Sequence, residues 1–159
     1  MNHYGKLFIN NSNSQSNISL ETYNPDKEKY FEVIKKAREK GLKQVIINSE
    51  LMLEILYQIL ENNGVILKVN LSDSTDDEIK DNINSILPKI RENKQLYLKL
   101  REELEWAVDS GSIDVNNIEV YVFKTRYQIF SNGIINSSKM DEMFEKIILP
   151  VLRKYFNAR

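Results

Sequence analysis

Apolar positions along this chain follow two rhythms. Period-two alternation marks 6–10 (KLFIN) and 18–23 (ISLETY), with the polar stretch NSNSQSN between them. This pattern predicts an N-terminal β-hairpin. Period-3.6 spacing then predicts a helix from Asn24-Pro25 to about Lys40, with Tyr30, Val33, Ile34 and Ala37 on its apolar stripe and Gly41 at its end. The short β-branched run at 43–48 (KQVIIN) reads as a buried strand. A helix over 50–62 follows, apolar nearly all round, and Asn63-Gly64 stops it. So little polar face demands cover on more than one side.

Residues 65–71 (VILKVNL) predict the next strand. Thr75 and Glu78 have capping-box spacing and open a helix over 76–87, which Pro88 is expected to break or kink. A second helical stretch over 89–109 carries Leu96, Leu100, Leu104 and Val108 at four-residue steps. Strands are predicted at 118–123 and 127–130, with a short one at 134–135 after the hairpin dipeptide Asn132-Gly133. A final helix spans about 139–157, with Pro150 kinking it.

Strand–helix–strand–helix–strand order in the middle of the chain predicts right-handed crossovers and a parallel sheet core. The expected fold is therefore a three-layer α/β domain. Its sheet is mixed and largely parallel, with an N-terminal β-hairpin, late antiparallel strands and a long helical insertion at 76–109. No internal repeat or linker divides the chain, so a single domain over 1–159 is expected.

Composition narrows the chemistry. There is no Cys and only one His, so thiol nucleophiles, disulfides, thiolate metal sites and two-His mechanisms are excluded. Five Gly in 159 residues offer no phosphate-cradling loop. Lys+Arg total 22 against 23 Asp+Glu, which gives no general attraction to nucleic acid. No apolar run spans a bilayer and no secretory signal is visible, so a cytoplasmic protein is expected.

Ligands of parallel α/β sheets sit beyond the carboxyl ends of the strands. That places a candidate site at Asn48, Ser49 and Glu50 together with Ser72, Asp73, Ser74 and Thr75. Two helix starts there could hold a phosphate or carboxylate, or Glu50 and Asp73 a magnesium ion. Helix starts need these residue types in any case, and capping outweighs ligation. A second candidate is Lys124, Arg126 and Tyr127, a basic pair among aromatics suited to an anion or a stacked base. Charge that protects an edge strand is the competing explanation. His3 is expected at a mobile end without a partner. Glu102, Glu103 and Glu105 read as an ion-paired, solvated helix face, and Arg153, Lys154 and Arg159 as dipole-favoured cations at a helix end.

The order of elements resembles the half-domain of phospholipase-D-like proteins, whose signature is His-x-Lys followed by Asp. No His occurs after position 3, so that resemblance implies a non-catalytic relative. A binding or regulatory module leads the functional expectations, acting through a protein surface or small ligand. It would be a homo-oligomer if the apolar excess of 50–62 is covered by a second copy. An enzyme or sensor for a phosphorylated or nucleotide ligand at the strand ends comes second, and a weak nucleic-acid binder third. No cofactor or metal is expected.

Overall fold

Each strand pairing in the sheet is antiparallel. The computed structural model describes residues 3–10, 17–72, 77–109 and 114–157. Its strands are β1 (His3–Asn10), β2 (Asn17–Tyr23), β3 (Lys43–Gln44), β4 (Val65–Ser72), β5 (Asp114–Val122), β6 (Thr125–Phe130) and β7 (Ile134–Ser137). They form one 7-stranded sheet in the order β2-β1-β7-β6-β5-β4, with β3 paired to β1.

The N-terminal hairpin and the late antiparallel strands are present, but the parallel core is not. Its expected crossover strand, 43–48, is regular only at Lys43–Gln44 and pairs with Ile9 and Phe8 of β1. Strand β4 instead joins β5, across two intervening helices. The helix after β3 therefore links one side of the sheet to its far edge rather than two adjacent parallel strands. Side-chain periodicity reports which face a residue occupies and not which strand lies beside it.

Segment 43–47 takes over as the neighbour of β1 where β7 stops. The Val45 N–H donates to Leu7 O at 3.1 Å, and the Ile47 N–H donates to Ser131 O at 2.8 Å. The β6–β7 turn tucks under this segment. Gly133 has φ +84, and a Cβ there would lie 2.3 Å from Val45 O. Only glycine fits both the left-handed backbone and the close approach.

Helices lie on both sides of the sheet. On β1, Leu7 joins the large core while its neighbour Phe8 joins a small cluster with Val33 and Ala37 of α1 (Tyr30–Glu39). Consecutive strand residues face opposite ways, so α1 lies on the side opposite the main core. That core is covered by α2 (Ser49–Glu61), α3 (Asp77–Glu92), α4 (Tyr97–Asp109), α5 (Asp141–Met143), a π-helical stretch (Phe144–Ile148) and α6 (Leu149–Asn157).

The apolar excess of α2 is covered within the chain. Leu51, Met52, Leu53, Ile55, Leu56, Ile59 and Leu60 are all buried, against β4, β5, α4 and α6. Each such side chain contributes ~1.5–3 kcal/mol of transfer free energy, and no second copy is needed to obtain it. The covering argument for a homo-oligomer through this helix therefore falls.

Two helix boundaries differ from expectation. Asn24 starts a local turn rather than a helix: the Asp26 N–H donates to its Oδ1 at 2.9 Å, and α1 begins at Tyr30. Pro88 lies inside α3, which continues to Glu92. Leu87 and Ile90, both buried, hold the helix across the missing N–H. Ahead of Pro150 the chain widens into the π-helical stretch, which is how this helix accommodates its proline.

Candidate functional site

The first predicted site is largely consumed by structure. Asn48, not Ser49, caps α2, its Oδ1 accepting the Leu51 N–H at 2.8 Å. Its Nδ2 donates to Tyr155 Oη at 3.2 Å. Ser49 is buried, and its Oγ accepts the Val115 N–H at 3.0 Å. Val115 pairs with Leu71, so the start of α2 and the end of β4 do converge, as a packing joint. The strand ends there are antiparallel, so no switch-point crevice of the parallel kind exists. Glu50 is exposed and lines a groove of about 570 Å³ between α2 and α6, with Glu54, Lys154 and Tyr155. Ser72 ends β4 opposite Asp114, while Asp73, Ser74 and Thr75 lie outside the described residues.

The second predicted site is divided by strand alternation. Arg126 pairs with Glu119 at 3.0 Å, opposite Tyr121 in the ladder. Tyr127, the next residue, is buried in the main core on the other face. Lys124 lines the same cleft as Tyr127. The basic pair is therefore split between the two faces.

That cleft, about 690 Å³, is the larger of the two principal hollows among the described residues. Lys124 comes from the β5–β6 turn, Lys139 and Ser138 from the segment after β7, and Thr22 from β2. His3 belongs to it as well. It is the first residue of β1 and pairs with Ser137, so it is not the loose end that was expected. Alternation of His3, Gly5, Leu7 and Ile9 on one face is the sequence signal, faint because the apolar run begins only at Leu7.

The backbone at the cleft mouth is unusual. Phe123 and Lys124, the two residues between β5 and β6, have φ of 54° and 60°. Two left-handed central residues are the mark of the tight I′ hairpin, a position that favours Asn-Gly. A left-handed non-glycine residue costs about 1–2 kcal/mol. The Thr125 hydroxyl donates to Phe123 O at 3.2 Å and braces the turn. Lys146 sits 5.2 Å from the Phe123 ring centroid and pairs with Glu142 at 2.7 Å.

These contacts set the charge of the cleft. The carboxylate of Glu142 is matched by Lys146. Among the described residues, neither Lys124 nor Lys139 has a carboxylate within ion-pair distance. Asp141 is the remaining acid on the wall. Burial pushes the Tyr127 phenol above its ordinary value; the Thr125 hydrogen bond opposes this and the Glu142 carboxylate adds to it. Tyr127 thus stays a neutral hydroxyl at physiological pH.

Lys6 forms a separate buried centre. Its ammonium is fully covered and donates to the carbonyls of Asn132 and Val45. Burial pushes its pKa down to about 8. Three segments meet on this one side chain: β1, the strand-like run at 45, and the β6–β7 turn.

The acidic face of α4 is ion-paired where it meets α2, with Arg101 bonding Glu105 at 2.8 Å and Glu54 at 2.6 Å. Among the described residues no group of three or more potential metal ligands forms. No helix among them is long and apolar enough to cross a membrane. No protein-family description, curated protein or solved structure matches this chain.

Proposed function

We propose that this chain is a non-catalytic binding module that takes a small anionic group, a carboxylate or phosphate, in the cleft beside the β5–β6 turn. The observation that carries this is the turn itself. A cation and an aromatic occupy two left-handed positions where Asn-Gly would form the same hairpin without strain. Backbone strain concentrates where a side chain is needed in a particular place. Here it presents Lys124 at the mouth of the cleft, with Lys139 on another wall and the hydroxyls of Thr22 and Ser138 between.

Lys124 and Lys139 supply charge, and the hydroxyls supply directed donors for the anion's oxygens. Inorganic phosphate and acetate, titrated separately into isotope-labelled protein at low salt, test the proposal. Chemical-shift changes should centre on Thr22, Lys124 and Ser138, saturate, and weaken as ionic strength rises. Changes confined to Glu50 and Lys154 in the α2–α6 groove, or none, would overturn it.

A further inference from the structure

The sheet has two edges, β2 and β4, and they are built differently. Unpaired edges present open N–H and C=O groups, and proteins usually blunt them with bulges, lysines or a covering element. Strand β4 has all three. Its register shifts between Ile66 and Lys68 and again between Asn70 and Leu71; it exposes Lys68; and α3 packs against it. Strand β2 has neither bulge nor lysine, and α6 touches it from the side of the main core that Ile18 and Leu20 join. Its register with β1 runs unbroken from Tyr4↔Tyr23 to Asn10↔Asn17. It contains no Pro, Lys or Arg, and its only charge is Glu21. None of its seven residues is buried, and among the described residues no strand pairs with its outer side.

We infer that the outer edge of β2 is a self-association edge, on which a second copy of this chain pairs antiparallel about Leu20. The sequence NISLETY is self-complementary in that register. Leu20 meets Leu20, and Ile18 meets Thr22, all on the face that carries the helical core. Ser19 meets Glu21, and Asn17 meets Tyr23, on the other face. No like charges stand opposite each other, and the partly exposed Ile18 and Leu20 gain apolar neighbours. Strand addition supplies affinity through the main chain, and the alternating side chains set the register. Thr22, opposite Ile18 in this register, also lines the cleft, so the edge adjoins the proposed anion site.

Sedimentation equilibrium of the full chain, from micromolar to near-millimolar concentration, reads the association directly. A reversible rise toward twice the 18.7 kDa chain mass is expected. Ser19→Glu sets a second carboxylate opposite Glu21 at both symmetric positions, and should weaken association by about tenfold or more. Ser19→Lys sets opposite charges there and should hold or tighten it. Both variants disturb the same partly buried serine, so a shared folding defect cannot imitate opposite shifts. Amide exchange on the wild-type chain gives a second readout: alternate β2 amides should gain protection as concentration rises. A monomer throughout the range, equal shifts in the two variants, or concentration-independent β2 exchange would each overturn the inference.

Discussion

The Val115 backbone N–H donates to Ser49 Oγ at 3.0 Å, joining the first turn of α2 to the start of β5. A serine that looks like a helix cap or an anion ligand is instead the buried acceptor for an amide of another element. Ser49→Ala leaves that amide without a partner. A loss of about 1–3 kcal/mol in unfolding free energy is expected by urea denaturation. Anion affinity should not change, because Ser49 does not line the cleft beside Lys124.

Lys6 makes stability depend on alkaline pH in a defined direction. Its folded pKa, about 8, lies below the ordinary 10.5. Between those values the unfolded chain binds more protons than the folded one, so stability rises with pH. Above about pH 10 the buried tyrosines act in the opposite sense, since Tyr97 and Tyr127 hold their protons in the fold. Denaturation midpoints should therefore rise from about pH 8 to about pH 9.5, and Lys6→Met should flatten that rise. A wild-type midpoint that is level or falling across this window would contradict the burial of an ammonium held by carbonyls alone.

Gly133→Ala tests the joint that Lys6 helps to close. The new methyl would meet Val45 O at 2.3 Å on a backbone with φ +84. Thermal melting should show a loss of about 2 kcal/mol or more. Gly41→Ala is the matched control. Its φ is +78 but nothing lies within 4 Å, so only the smaller conformational cost applies.

Arg126→Ala separates the two members of the predicted basic pair, Lys124 and Arg126. Arg126 is held by Glu119 on an exposed sheet face, so its removal should change stability by under ~1 kcal/mol. Phosphate affinity, measured by the same titration as for the wild type, should be unaltered.

How much of this was legible beforehand differs by level. The elements were visible because period two and period 3.6 are written in single residues such as Leu7, Ile9, Ile55 and Ile59. Partners were not visible. The run Val45-Ile46-Ile47 has a central strand's composition, but backbone bonds to Leu7 and Ser131 make it a patch beside β1. Nothing local announces that β4 will cross two helices to find β5. The cleft was half legible: Lys124 and Tyr127 were singled out, whereas Lys139 and Ser138 reach it only because β7 returns beside β1. The left-handed backbone at Phe123 and Lys124 had no sequence signature, since Asn-Gly is the pattern that marks such turns.

Lys124→Gly, read for phosphate binding and stability together, tests the central claim most directly. Glycine is at ease in the left-handed position, so the variant should keep the hairpin and match or exceed the wild type's stability, by up to ~1 kcal/mol. If the turn is strained in order to place a cation, phosphate affinity should fall by about tenfold or more, the loss of one charge-assisted contact. Undiminished phosphate affinity in a folded Lys124→Gly protein would contradict the account.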